Sequence, residues 1–419
     1  MLCATAAGSL LYSPPAAYCN PNSKFPCLSS RISSFILNSP KRWRCRASLI
    51  TTSDSFEVGA LVGSYGFMNV TSYSGFQSGS ELSYSPIDLQ QLKVQDVGEG
   101  SFKIKLYEGR VAQGSQRGTP VLFKVYPGQR AGGIEADMMA ANELSAHSSL
   151  QSSAEGICKN LVHLIGGFET KTGEQWLAFR NHGKYSAADY AALTSKRISQ
   201  GSSSREKSWN SFQQQKDMEY RRYFVIRILQ GAISGLAFMH DHDRLHQSLG
   251  PSSVLLNTIT EKDAGYLIPR LRDLTFSVDM SFDSISNLEG ARTLSESLWR
   301  RATAAGAFTT LEKRAFGIAD DIYAAGLLLA YMAFVPFCEA GIMDSLSLQR
   351  LLENTFKLDL EATREYCLAD DRLEEAVKFL DIGNRSGWEL LQAMLNPDFR
   401  QRPTAKAVLN HSFMSGSLL

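Results

Sequence analysis

The chain has 419 residues, 44% hydrophobic and 20% charged, with a formal net charge of +1. That composition suits an ordinary globular chain, long enough for a two-lobed domain with extensions. The near-zero charge gives no global pull toward nucleic acid or an anionic membrane, and no nucleic-acid partner is expected.

The first acidic residue is Asp54. Before it stand Lys24, Arg31, Lys41, Arg42, Arg44 and Arg46, among many serines. An Arg- and Ser-rich, acid-free start is the composition of an organelle transit peptide, and no apolar stretch follows that would make a secretory signal. Met1-Leu2-Cys3-Ala4-Thr5 and Arg44-Cys45-Arg46-Ala47 resemble the opening and the cleavage site of chloroplast transit peptides. Residues 1–46 are therefore read as a leader, and the expected location is the chloroplast, in the stroma or against the thylakoid. Without the six leader cations, 37 basic residues face 42 acidic ones, a balance of −5. Four of the seven cysteines fall in the leader; Cys158, Cys338 and Cys367 lack metal-ligand spacing and read as ordinary thiols.

Residues 47–88 are rich in Ser, Gly and Tyr, consistent with either a linker or a strand-forming extension packed on the next domain. From 89 to 415 one domain is expected. Short strands are predicted at Ser101–Tyr107, Pro120–Tyr126, Leu161–Phe168 and Gln175–Arg180. Long helical periods follow at Tyr220–His240 and Asp321–Phe334. Strands first and helices later predict an α+β architecture in two lobes, a small β-rich one and a larger helical one. Ser195–Lys216, rich in Ser, Gln and Lys, reads as a mobile surface insertion. Two uncharged stretches, Val58–Ser80 and Ile322–Cys338, fall short of a membrane span; the first is too polar, and the second, at 17 residues and broken by Pro336, suits a buried core helix.

The chemistry-bearing motifs begin with Val97-Gly98-Glu99-Gly100-Ser101-Phe102, running on to Gly109. Two glycines in a hairpin let backbone N–H groups approach phosphates closely. Fifteen residues after Gly109 comes Lys124, framed by Val121-Leu122-Phe123 and Val125. A lysine among apolar strand residues demands a partner.

These segments resemble the Gly-rich loop and strand lysine of protein kinases, and the resemblance continues in order over about three quarters of the chain. Glu143-Leu144-x-Ala146-His147 is similar to the kinase helix C, with Glu143 placed to pair with Lys124, although Glu135 is a competing partner. Trp176–Arg180 resembles the hinge, and Ile228–His240 the helix before the catalytic loop. Leu245-His246-Gln247-Ser248-Leu249-Gly250-Pro251-Ser252-Ser253 aligns with that loop, and Leu271-Arg272-Asp273-Leu274-Thr275 with the metal-binding Asp-Phe-Gly. Asp321–Leu329 and Arg400–Ala405 resemble the later helix F and the domain's ending. The resemblance implies ATP as cofactor, bound by Gly98, Gly100, Lys124 and Glu143, and magnesium held by Asp273. Lys124–Glu143 is equally consistent with a lobe-bridging ion pair, and Asp273 with a loop-capping carboxylate. His246 and Asp321 are expected to be structural, Arg402 to hold an activation-segment carboxylate such as Glu312, and Arg300-Arg301 to be solvated.

The departures carry the functional expectation. Kinases place an aspartate base where Ser248 stands, a phosphate-facing lysine where Gly250 stands, and a second metal ligand where Ser253 stands. Gln247 replaces the arginine that reads a phosphorylated loop, Lys103 the third glycine, Lys105 an apolar residue over adenine, and Thr275 the Asp-Phe-Gly glycine. General-base catalysis is worth about 10²–10⁴ in rate, and the lysine charge is lost as well. The leading expectation is a pseudokinase: a plastid scaffold or regulator with weak ATP binding and a protein partner. The alternative is an unconventional active Ser/Thr kinase.

Overall fold

Along Pro120–Tyr126, Val121, Phe123 and Val125 alternate with Leu122, Lys124 and Tyr126, and all but Pro120 and Leu122 are buried. A strand buried on both faces sits inside a sheet covered on both sides. A computed structural model describes residues 49–66, 103–152, 156–203, 211–281 and 295–415. Its first lobe is a five-stranded antiparallel sheet in the order β1-β2-β3-β5-β4. The strands are β1 (Phe56–Gly66), β2 (Lys103–Val111), β3 (Pro120–Tyr126), β4 (Leu164–Glu169) and β5 (Gln175–Arg180). Helix α1 (Gln129–Gln151) lies on the inner face, where Met139 and Ala140 pack with Ile104, Tyr126, Leu164 and Leu177. The outer face carries a second apolar layer of Phe56, Phe123, Val125, Ile165 and Ala178.

The chain before β1 helps to build that outer layer. Ile50 donates its N–H to Ile165 O at 3.0 Å and accepts from Gly167 N at 2.9 Å, lining the edge of β4. Gly166 permits this approach, since a Cβ there would lie 2.0 Å from Ile50 O. By Phe56 the chain has reached the opposite edge, and the Phe56 ring packs against Phe123 and Phe168, at centroid distances of 5.4 and 6.0 Å. Phe56–Gly66, within the stretch that the sequence left open as linker or extension, is thus the sheet's edge strand.

The second lobe is helical, as expected from the sequence. Its helices include α2 (Ala187–Ser203), α3 (Ser211–Asp241), α4 (Glu296–Ala304) and α5 (Thr310–Phe334). Short strand pairs near the lobe boundary involve β6 (Tyr185–Ser186), β7 (Arg244–Leu245), β8 (Val254–Leu256), β9 (Arg270–Leu271) and β10 (Val278–Asp279). Both α3 and α5 contain windows long and apolar enough for a membrane span, yet these windows are 72% and 78% buried inside the lobe. Their apolar residues are its core, which includes Phe224, Leu229, Leu328 and Phe334.

One sequence expectation is corrected. Ser195–Lys216 is not a wholly irregular insertion: its first part continues α2 to Ser203, its last part opens α3, and residues 204–210 lie outside the described residues. Ser195 is buried and donates to Cys338 O at 2.8 Å. Polar composition concealed a helix whose serines bond inward. Cys338 and Cys367 are buried free thiols, each pushed up to about 12 chiefly by burial.

Candidate nucleotide cleft

Strand alternation aims Lys124 at the inner face, where α1 brings Glu143 to meet it. The two Glu143 oxygens lie 3.0 and 2.8 Å from Lys124 Nζ, and both side chains are almost fully buried. Glu135 is exposed, so Glu143 is the partner. From the second lobe Asp273 adds its Oδ1 at 2.9 Å from the same ammonium. Asp273 adopts the left-handed backbone conformation, φ 64° and ψ 53°, which aspartate tolerates better than most residues. The turn that follows, Leu274–Phe276, places Thr275 Oγ 3.3 Å from Lys124 and 3.0 Å from the Tyr126 hydroxyl. Tyr126 in turn donates to Glu143. Asn142 donates to the carbonyls of Thr275 and Ser277 at 2.7 and 2.8 Å, latching α1 to this turn. Buried opposite charges of this kind are tolerated because their remaining lone pairs and protons are hydrogen-bonded.

The loop after β7 is fixed from beneath by Asp321 of α5. Its carboxylate accepts from the backbone N–H groups of His246 (2.8 Å) and Gln247 (2.9 Å), and lies 3.0 Å from His240 Nε2. Burial raises the Asp321 pKa, but the bonds and charges of His240 and His246 outweigh it and the net shift is downward. His246 is fully buried, and burial lowers its pKa. Its Nε2 meets Arg272 O at 3.1 Å and its Nδ1 meets Ser248 N at 3.3 Å. A carbonyl on one side and an N–H on the other specify the neutral ring protonated at Nε2.

The three replaced loop positions serve the loop itself. Ser248 Oγ donates to Asp273 O at 2.9 Å. Ser253 Oγ donates to Gly250 O at 2.8 Å and accepts from Gly250 N at 2.9 Å, turned into its own backbone. Both hydroxyls are neutral and engaged with backbone, and a serine hydroxyl is a far weaker proton acceptor than a carboxylate.

Between the lobes lies an open cleft. Leu106, Leu122, Val162 and Leu255 form apolar walls; Lys124, Arg272 and Asp273 stand in one part, and Arg180, Asn181 and His182 line it too. Phe179 and His147 also line the cleft and meet edge to face, with ring centroids 5.1 Å apart. His182 is lowered to about 4, first by burial and then by Arg270 and Arg180, so it is uncharged at neutral pH.

Register corrects one assignment. Leu106, paired with Lys124, faces the cleft, whereas Lys105, paired with Val125, is exposed on the other face; the apolar cover is Leu106 and is not lost. Because β2 pairs with β1, the connection carrying Gly98 and Gly100 runs from residue 67 to 102, outside the described residues.

Further out, Arg402 donates to Asn396 O and Ala319 O and stacks over Tyr323, while Glu312 caps α5 through Thr309, so the expected pair between them is absent. Arg301 is not solvated: it grips buried Asp320 with two bonds of 2.8 and 3.0 Å, while Arg300 is exposed. Sequence reading missed Tyr126, Asn142 and Arg272, and saw Thr275 only as a defect. Arg272, immediately before Asp273, was the available signal.

A divalent metal fits this donor set poorly. Asp273 Oδ1 is taken by Lys124, and Oδ2 lies 3.3 Å from Arg272 Nε. Among the described residues no cluster of three or more His, Cys, Asp or Glu side chains is arranged to hold a metal.

The geometry agrees with comparisons to known proteins. No curated protein matches the sequence significantly. Among solved structures, the crystal structure of an Stt7 homolog from Micromonas algae, soaked with ATP, is similar with a TM-score of 0.52 at 16% identity. The match covers 91% of this chain and 98% of that one, and at such identity it shows the fold alone. The model of the protein kinase domain matches residues 93–414. With that match spanning most of its length, the chain belongs to the protein kinase family.

Proposed function

We propose that this protein is a catalytically deficient member of the family, a plastid pseudokinase that binds a nucleotide between its lobes and acts as a scaffold or regulator for another plastid protein. The observation that carries the reading is the bond from Ser248 Oγ to Asp273 O at 2.9 Å. Where phosphoryl transfer needs a positioned base, this loop has a neutral hydroxyl committed to backbone. Gly250 supplies no charge, and Ser253 closes on Gly250. Losing one element can be compensated; losing three removes most of the electrostatic stabilisation the reaction depends on. Nucleotide binding is supported by the apolar walls and by Lys124, held in place by Glu143.

The test is a radiolabelled phosphate-transfer assay on the full chain, with itself and a plastid extract as acceptors. We expect transfer at background, and no full activity in the double variant Ser248→Asp, Ser253→Asn, because Gly250, Gln247 and Thr275 remain. Robust wild-type transfer abolished by Asp273→Ala would overturn the reading in favour of an unconventional kinase. The plastid assignment rests on the acid-free leader, and N-terminal sequencing of the mature protein should find a start near residue 46. An intact Met1 on a cytosolic protein would contradict it.

A further inference from the structure

The charge pattern around Asp273 carries the nucleotide reading a step further. Arg272 lines the cleft with its side chain 29% exposed. Its Nε is anchored at 3.0 Å from Ser252 O and 3.3 Å from Asp273 Oδ2. Its two terminal nitrogens make no hydrogen bond to the described residues, so the guanidinium fork is positioned but open. A guanidinium fork matches phosphate oxygens with two parallel bonds. On the other side of the same carboxylate, Lys124 holds Oδ1 at 2.9 Å. A metal ion entering here would have to displace one cation from Asp273 and would find Ser253 Oγ turned into its own turn. A phosphate oxygen entering here meets two cations already in place.

We propose that Arg272 supplies the positive charge that a divalent ion would otherwise bring to this cleft, so that the site takes a nucleoside polyphosphate as a metal-free anion. The inference rests on the nucleotide-binding reading above. The apolar walls formed by Leu106, Leu122, Val162 and Leu255 receive the base, and the Lys124–Arg272 pair receives the phosphates.

Calorimetry on the full chain tests this with ATP, in chelator and in excess magnesium, and with inorganic tripolyphosphate in chelator. ATP should bind in chelator with an affinity within about threefold of that in magnesium. Arg272→Ala should weaken binding in chelator by about tenfold or more, as expected for losing a charged hydrogen bond. Arg272→Lys, which keeps the charge without the fork, should retain an intermediate affinity. Asp273→Asn separates the models: a metal-dependent site loses binding, whereas here removal of the competing carboxylate should tighten it. Binding by ATP only in magnesium, or an Arg272→Ala variant that is folded by circular dichroism and binds ATP in chelator as wild type, overturns the inference while leaving nucleotide binding intact. No ATP binding in either condition overturns both. Tripolyphosphate matching ATP would overturn the role given to the base-binding walls.

Discussion

His147 follows Glu143 by one helical turn, is 1% exposed, and has a ring Nε2 without a hydrogen-bond partner. Burial, followed by the charge of Lys124, lowers its pKa to about 3, with His163 and His246 acting the same way and Asp273 opposing. The unfolded chain binds a proton at this position below about pH 6.5, whereas the folded chain does so only near 3. The unfolded state therefore holds more protons in that window, and stability falls as pH drops through it, by up to about 1.4 kcal/mol per unit from this one group. His147→Leu removes both the unpaired polar atom and the titration. It should stabilise the fold at neutral pH by about 1–3 kcal/mol. Urea unfolding at several pH values should show the gap between variant and wild type widening from pH 7 toward 4; parallel curves would mean His147 is not the neutral buried group described. Residue-scale chemistry was only partly legible in the sequence. Lys124 could be named because a charged residue in an apolar strand needs a partner, and Glu143 and Asp273 through the resemblance to protein-kinase motifs. Thr275 could not, because its hydroxyl gains meaning only beside Tyr126 and Glu143.

At the scale of elements, α1 is joined to the turn after Asp273 by the two Asn142 bonds as well as by the Lys124 ion pairs. These bonds satisfy the Thr275 and Ser277 carbonyls beside the cleft. Asn142→Ala leaves both without that donor and should cost about 1–3 kcal/mol. Hydrogen exchange should quicken at Leu274–Val278 more than in α3 or α5, to which Asn142 makes no bond. Uniform acceleration everywhere would show that Asn142 supports global stability and not this docking. Element types were largely readable: Pro120–Tyr126 and Gln175–Arg180 match β3 and β5 at both ends, and α5 begins eleven residues before the expected Asp321. That earlier start is set by the Thr309–Glu312 capping box, a local signal that the apolar period did not include. Strand β1 was left undecided because a Ser/Gly-rich edge strand, with Val58, Leu61 and Val62 exposed, lacks apolar alternation.

Across the whole molecule, the kinase-domain match begins at residue 93, yet the first lobe uses chain from Ile50 onward. Phe56 is buried against Phe123 and Phe168, and truncating such a side chain costs about 3–5 kcal/mol. A chain beginning at residue 89 should therefore melt several degrees below one beginning at residue 47, with Phe56→Ala in the longer chain reproducing a substantial part of the loss. Equal melting temperatures would mean that β1 contributes nothing to the lobe. The proposed leader, ending near residue 46, would leave Ile50 and Phe56 in the mature protein. The sequence by itself determined the order of elements and the two-lobed α+β class, because hydrophobic period is a local property of the chain, and its resemblance to protein kinases located the replaced positions Ser248, Gly250 and Ser253. Tertiary structure alone decided that Glu143 and not Glu135 meets Lys124, that Leu106 and not Lys105 faces the cleft, and that Asp273 reaches Lys124 across 149 residues of chain. Those choices depend on helix phase, strand register and the approach of segments more than a hundred residues apart, and none of these is written in a local pattern.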